Sequence, residues 1–340
     1  MKSKASRRAA LVSLLALVGV GCALATAEAT TPGANGPIAF RRYFDPDQTT
    51  GAVFTIGADG KSERQVTKPP AGGLDDQPDW APDGSLIAFS RCVVGLPCHV
   101  FVVAPDGTGL APVGAPCPAV TNPQVCPDDA NASFSPDSQR IVLTQSTGRD
   151  KKGAESNQIE HSAIAIANRD GSDRHVIRQG APYSGDLVFP VFSPDGKQLV
   201  FESVGSSFGP RAGQRAVYTM GVDGSHARRI TPWKESDGDN PDWSPDGKWI
   251  VFRSHVDDDS AQSQIFLIRP DGSGRKQVTH FATGTSILSS SFSPDGTSLV
   301  ISKVAASGNS RLHTLRLRDG HMQRVTHSKL WDSAPDWGPR

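Results

Sequence analysis

The sequence predicts an all-β fold, a six-bladed β-propeller built from four-stranded antiparallel blades. Three observations lead there. First, Ser-Pro-Asp-Gly or a near copy follows a Trp or Phe five times, in PDWAPDG (78–84), ASFSPDS (132–138), PVFSPDG (190–196), PDWSPDG (241–247) and SSFSPDG (290–296), and a truncated PDWGPR closes the sequence at 335–340. A period of roughly fifty residues marks a repeat architecture. Second, short β-branched or aromatic runs alternate with Asp-Gly and Pro-Asp-Gly turns, the pattern of a β-meander. Past the leader no stretch keeps an apolar helical period. Third, the two ends of the repeat region are complementary fragments.

Each repeat supplies four strands, named A to D here. Strand A carries the aromatic residue and ends at the Ser-Pro-Asp-Gly turn. Strand B is a short apolar run: LIAFS (86–90), RIVLT (140–144), QLVFE (198–202), WIVFR (249–253) or SLVIS (298–302). Strand C is a second run that ends in Asp-Gly, with Asp59, Asp106, Asp170, Asp223, Asp271 and Asp319 at the C–D turn. Asp at such a turn can bond its own backbone two residues on. Strand D closes on Val-Thr or Ile-Thr, as in RQVT (64–67), RRIT (228–231), KQVT (276–279) and QRVT (323–326). PIAFR (37–41) is a B strand without its A, and SAPDWGPR (333–340) is an A strand without its B. The C-terminal strand is therefore expected to complete the N-terminal blade and close the ring, covering two edges that would otherwise be open to pairing.

The repeat (N/D)-x-P-x-(W/F)-S-P-D-G resembles that of the TolB propeller, a WD40-like repeat family of the bacterial Tol–Pal envelope system, and is similar to the propellers of prolyl-oligopeptidase-type peptidases. The resemblance covers residues 37–340. TolB carries a further domain ahead of its propeller, and here only a short linker, residues 28–36, is expected to stand there. The resemblance implies an exported protein of the cell envelope, periplasmic or extracellular, that binds other proteins.

Residues 1–27 read as a signal peptide. Lys2, Lys4, Arg7 and Arg8 precede an uncharged apolar run from Ala9 to Ala27, and Ala25-Thr26-Ala27 offers a small-x-small cleavage site. Two other readings stand beside it: lipidation at Cys22, which follows Gly19-Val20-Gly21, and a partial twin-arginine signal at Ser6-Arg7-Arg8. No transmembrane span is expected in the mature chain. Lys and Arg total 35 against 35 Asp and Glu, with no basic tract, which argues against nucleic acid as a partner. A monomer is expected. Four cysteines remain behind the leader, Cys92, Cys98, Cys117 and Cys126. An even count in an exported chain suggests disulfides, and local pairs 92–98 and 117–126 are the simplest of three pairings. A zinc site is the rival, without CxxC or paired His to support it.

Little in the sequence looks catalytic. Gly205-Ser206-Ser207-Phe208-Gly209 matches G-x-S-x-G, but that motif needs a strand-to-helix elbow, and here it falls in a B–C loop. The nine histidines are scattered, and His280 and His327 merely follow the Thr that ends strand D. Asp75-Asp76 and Asp257–Asp259 read as solvated loop charge, lacking a calcium-binding frame. No metal or cofactor is expected. Asp79, Asp242 and Asp336 each precede a strand-A Trp, so they are expected to line the central channel. There they would either hold a cation or basic segment, or bond backbone amides around a polar channel. Trp80, Phe134, Phe192, Trp243, Phe292 and Trp337 share one repeat position and read as inter-blade packing.

The A–B and C–D turns fall on one face of the disc and are short and repetitive. The opposite face carries the irregular loops Arg41–Gly51, Gly114–Ala130, Gln145–Ser162, Ser203–Gly213 and Pro232–Asn240. Loops free of the repeat are where binding residues tend to sit. Tyr43, Phe44, Phe208, Trp233 and Trp331 are the candidate partner contacts there, with Tyr183 and Phe281 on the same face. Aromatics dominate interface hot spots, although Trp233 and Phe281 could equally staple loops to the rim. Two functions remain: a non-catalytic propeller that binds a protein or envelope component through this face, and a lyase or hydrolase working at the channel mouth. The binding reading is preferred because no acid–base constellation accompanies the Asp series.

Overall fold

The computed structural model describes residues 33–115, 127–147, 161–180, 186–205, 211, 214–233, 239–255, 262–306 and 308–340. The signal-peptide reading, Cys22, Ser207, Phe208, Tyr183, Cys117, Cys126 and Asp257–Asp259 lie outside these residues.

Six four-stranded blades follow one another. Blade 1 takes strand A from Asp332–Pro339, B from Asn35–Tyr43, C from Gly51–Ile56 and D from Arg64–Gln65. Blade 2 runs through Gly73–Trp80, Ile87–Val93, His99–Val103 and Ala111–Pro112. Blade 3 has Asp128–Phe134, Arg140–Thr147, His161–Asn168 and His175–Gln179. Blade 4 has Asp186–Phe192, Gln198–Val204, Arg215–Gly221 and Arg228–Arg229. Blade 5 has Asp239–Trp243, Ile250–His255, Ser263–Ile268 and Lys276–Gln277. Blade 6 has Ser286–Phe292, Ser298–Val304, Ser310–Arg316 and Met322–Arg324. The ring closes as the sequence predicts: the last strand pairs antiparallel with the first, Trp337 opposite Ile38 and Asp336 opposite Ala39. Blades 1 and 2 are also joined by a parallel pairing of Gly51 with Leu74.

The repeat motif is a set of turn bonds. In blade 4, Ser193 Oγ donates to Asp195 Oδ1 (2.6 Å) and accepts from Gln198 N (2.9 Å), while Lys197 N donates to Asp195 Oδ1 (3.1 Å). The Gly that follows takes a positive φ, 68° at Gly196, which a side chain resists. Blade 3 has Ser138 there at φ 58°, and its hydroxyl accepts a bond from Asp83 N of blade 2 (3.1 Å), an inter-blade contact that Gly could not make. Strand D is fastened by its closing Thr: the buried hydroxyls of Thr67, Thr231, Thr279 and Thr326 accept from strand-C amides at 2.9–3.1 Å.

Every strand A is bulged. Pairing with strand B slips just before the aromatic residue in all six blades. In five of them the residue three before the aromatic is left-handed: Gln77, Asn131, Phe189, Asn240 and Ala334, with φ between 49° and 52°. A bulge is where proline is tolerated in a strand, which accounts for Pro78, Pro190, Pro241 and Pro335 at the next position. The bulge bends strand A and aims the residue before the aromatic at the axis.

Each strand-A aromatic fills one inter-blade core. Trp80 packs with Ala39, Val53 and Val66 of blade 1, Phe134 with Val100 and Val102 of blade 2, and Phe192 with Val142, Ile164 and Ile166 of blade 3. Trp243 packs on Val200 and Val217, Phe292 on Val251 and Ile265, and Trp337 on Val300 and Leu312. All six are buried. Burial of such side chains, worth about 1.5–3 kcal/mol each for residues the size of Phe, is what holds one blade against the next.

Candidate functional site: the channel and the loop face

The axial position of strand A reads Asp79, Ser133, Val191, Asp242, Ser291 and Asp336 around the ring, one residue per blade, and all six line the central channel. The three carboxylates act as clasps between blades. Asp79 Oδ2 accepts from Phe134 N (2.8 Å), Asp242 Oδ2 from Phe292 N (3.0 Å) and Asp336 Oδ2 from Trp80 N (2.7 Å), in each case the next blade in the ring. Asp242 Oδ1 also accepts from Trp243 N (2.8 Å), and Ser291 Oγ donates to Asp336 Oδ1 (2.9 Å). Backbone clasping, one of the two roles the sequence allowed, is thus present.

The channel still gathers three carboxyl groups that oppose one another's ionisation. Burial, with the nearby charges of Asp336 and Asp242, holds Asp79 well above the ordinary carboxylate range. Burial pushes Asp242 to about 7 against the amides it accepts, and the charge of Asp336 adds to the rise. Asp336 is raised by burial, opposed by the Trp80 amide and the Ser291 hydroxyl. Around this belt the channel offers two narrow cavities. One, of about 40 Å³, opens toward Pro82, Pro294 and Pro339 on the turn face. The other, of about 90 Å³, opens on the loop face between Gln77, Asn131, Phe189 and Asn240. Among the described residues no group of three or more His, Cys, Asp or Glu side chains is arranged to hold a metal ion.

On the loop face the predicted contacts divide. Phe44 is 42% exposed, with its ring edge-on to Phe54. Trp331 is half-buried and its carbonyl accepts from Tyr43 N (3.0 Å). Tyr43 and Trp233 do not present exposed rings: each is 7% exposed. Arg41 covers the Tyr43 ring at 4.2 Å, and Trp233 sits between Tyr218 and Arg211 as a loop staple. Phe281 is likewise half-buried, under Lys303. Residues not singled out from the sequence take the exposed places. The Cys92–Cys98 disulfide is formed, and the B–C loop it closes presents Val94 at 83% and Leu96 at 47% exposure. Leu330 adds a further apolar side chain at 40%. The signal that could have found Val94 and Leu96 is two apolar residues among the five enclosed by the Cys92–Cys98 pair, a loop too short to fold back onto a core.

Asp75 and Asp76 are not solvated loop charge. They lie in strand A of blade 2, where Asp75 is wholly buried and paired with Arg91 at 2.6 and 2.8 Å, and Asp76 pairs with Arg41. Asp332 and Asp129 occupy the same repeat position as Asp75 and pair with Arg42 and Arg174. This buried ion-pair belt escaped the sequence reading because the arginines come from other strands. The turn face is also less featureless than its repetition suggested. A groove of about 670 Å³ runs between blades 5 and 6, lined by Trp249, Leu267, Lys276, Asp246, Asp295 and Leu317 among others.

A family model described as the TolB beta propeller domain matches residues 133–340, more than half of the chain. The chain belongs to this family. This TolB-type propeller is 26% identical over 214 residues to the uncharacterized protein Atu1656 of Agrobacterium fabrum, a match covering 62% of the chain and 60% of that protein. It is 26% identical over 194 residues to the uncharacterized peptidase YuxL of Bacillus subtilis, covering 56% of the chain and 24% of the peptidase. The chain thus spans less than two thirds of the length of these relatives. Among solved structures, TolB from Acinetobacter baumannii superposes with a TM-score of 0.66 at 18% identity, covering 90% of this chain and 67% of that one. At that identity the likeness is one of fold.

Proposed function

We propose that this TolB-type propeller is an exported, non-catalytic binding module that docks a protein or cell-envelope component through its B–C and D–A loop face. One observation carries the reading: four exposed apolar side chains stand on that face, Phe44 in the B–C loop of blade 1, Val94 and Leu96 in that of blade 2, and Leu330 in the loop leading from blade 6 into blade 1. Blades 1 and 2 share a sheet through Gly51 and Leu74, which holds their two B–C loops on one frame. Exposed apolar groups on a preorganised frame are what a partner can desolvate without an ordering cost. The Cys92–Cys98 disulfide and the apolar leader support export. The clasping bonds of Asp79, Asp242 and Asp336 support a positioning role for these carboxylates rather than an acid–base one.

Affinity capture from envelope extract, with the mature domain as bait and chemical cross-linking, identifies the partner. Phe44→Ala, Val94→Ala and Leu330→Ala are then expected to weaken its binding by roughly thirtyfold at a hot-spot position, equivalent to about 2 kcal/mol, with an unchanged melting temperature. Loss of binding confined to substitutions in the turn-face groove, such as Trp249→Ala, overturns the assignment.

A further inference from the structure

The loop-side mouth of the channel has a layered chemistry. Its collar is formed by Pro78, Pro190, Pro241 and Pro335 from four bulges and by Phe189, with Gln77, Asn131 and Asn240 among them. Its floor is the belt of Asp79, Asp242 and Asp336. Facing that belt from the other three blades are Ser133, Val191 and Ser291, and among the described residues neither end of the channel is lined by Lys, Arg or His. Three carboxylates therefore share the channel without a cationic partner among the residues that line it. One more polar group faces the same cavity. Ser290 is 6% exposed, lines the mouth, and its hydroxyl has no hydrogen-bond partner among the described residues. A buried hydroxyl left unpaired is costly, so its retention points to a ligand that completes it. Phe189 stands at the rim in the left-handed conformation of the strand-A bulge, φ 52°, as the equivalent residues of four other blades do.

We infer that the loop-side mouth binds a primary alkylammonium group presented by a protein partner, the ammonium against Asp79, Asp242, Asp336 and Ser290 Oγ and its aliphatic stem within the proline collar. The order of groups matches such a ligand from head to stem: an ammonium has three donors and no acceptor, and its alkyl chain packs against apolar surface. Phe189 is placed to add a cation–π contact at the rim. A cavity of about 90 Å³ suits a slender chain. The group could be a lysine side chain or a chain N-terminus: both present a primary ammonium, and only lysine adds the long alkyl stem. The inference extends the loop-face reading into the channel but is tested without the partner. If partner binding depends on Phe44 and Val94 while no amine binds, this inference fails and that reading stands.

The test is the melting temperature of the mature protein at constant ionic strength with n-butylammonium, tetramethylammonium or calcium chloride, at pH 8 and pH 5.5. Butylammonium is expected to raise it at pH 8, and tetramethylammonium, which has no N–H donor, is not. Nα-acetyl-lysine amide and triglycine amide then separate a lysyl from an N-terminal source, and a response to either supports the inference. Protonation of the belt competes with binding. With Asp242 at about 7, amine affinity from titration should be about thirtyfold weaker at pH 5.5 than at pH 8. Asp336→Asn should abolish the response. If that variant does not fold, the pH comparison on the unmodified protein decides. No amine response, an equal response to tetramethylammonium, a response to calcium alone, or equal affinity at the two pH values each overturns it.

Discussion

Replacing Trp337 by alanine tests whether closure of the ring holds the whole domain together. The side chain is 6% exposed and belongs to a core built from both ends of the chain: Ile38, Phe40, Phe54 and Ile56 of blade 1 with Val300, Leu312 and Val325 of blade 6. Its indole Nε1 donates to Gly36 O at 3.1 Å. Truncating a buried aromatic costs about 3–5 kcal/mol, and the lost hydrogen bond adds about 1 kcal/mol. The expected loss of about 4–6 kcal/mol is a large part of the 5–15 kcal/mol typical of a folded domain. Urea denaturation followed by far-ultraviolet circular dichroism reads it as a lower midpoint, with the blades still unfolding together. Deleting 332–340 removes the entire strand, bares the edge of Asn35–Tyr43 and the flank of blade 6, and should abolish the single cooperative transition or cause aggregation. A Trp337→Ala midpoint within the error of the parent, or a deletion variant that melts like the full chain, refutes closure as the source of cooperativity.

Other outcomes follow from the buried charges and the disulfide. Arg91→Ala leaves Asp75 wholly buried without its bidentate partner and should cost about 3–5 kcal/mol, visible in the same denaturation assay, whereas Asp75→Asn in the Arg91→Ala background should recover part of it. Thermal stability should pass through a maximum in mild acid. The turn carboxylates Asp106, Asp170, Asp223 and Asp271 are held below the ordinary range, chiefly by side-chain bonds from Thr108, Ser172, Ser225 and Ser273, so their contribution is present above about pH 4 and lost as pH falls. The channel carboxylates are raised, so stability present below about pH 4 is lost as pH rises toward 7, the value of Asp242. A melting curve series from pH 3 to 8 checks both limbs, and Asp242→Asn should flatten the upper one. Reducing Cys92–Cys98 should cost on the order of 2 kcal/mol by the loop-entropy relation, and should weaken partner binding further by freeing Val94 and Leu96.

The fold was legible because the repeat writes the same instruction six times. Pro and Gly punctuate each hairpin, the Asp of each C–D turn bonds two residues on, and one aromatic per repeat meets one inter-blade core. The complementary end fragments gave the closing strand to within two residues. The axial placement of Asp79, Asp242 and Asp336 was legible for the same reason, since a strand position repeats with the blade. What these carboxylates touch was not. Their partners are amides some fifty residues away, or 256 for Asp336 and Trp80, and nothing local encodes that register. Burial on the irregular loops was equally hidden. Tyr43 and Phe44 are neighbours of similar chemistry, yet Tyr43, the last residue of strand B, lies under Arg41, and Phe44, the first of the loop, is exposed. Asp75 looked like loop charge because Arg91, which neutralises it, arrives from the next strand.

The closing seam also sets how the molecule faces its surroundings. Asn35 pairs with Pro339, Arg340 N bonds Ala34 O at 3.0 Å, and Gly33 N reaches Pro294 O in the blade 6 turn at 3.3 Å. Chain entry and chain exit therefore share one spot on the turn face. A tether reaching the domain through residue 33 holds it by its repetitive side, and a fusion at residue 340 does the same. On a bead, a vesicle or a membrane, the disc then stands with its irregular loops outward and its acidic bore open to the medium, while the seam itself lies toward the support. Attachment through either terminus should accordingly leave partner capture intact, and attachment through a cysteine placed in the loop of residues 93–97 should block it.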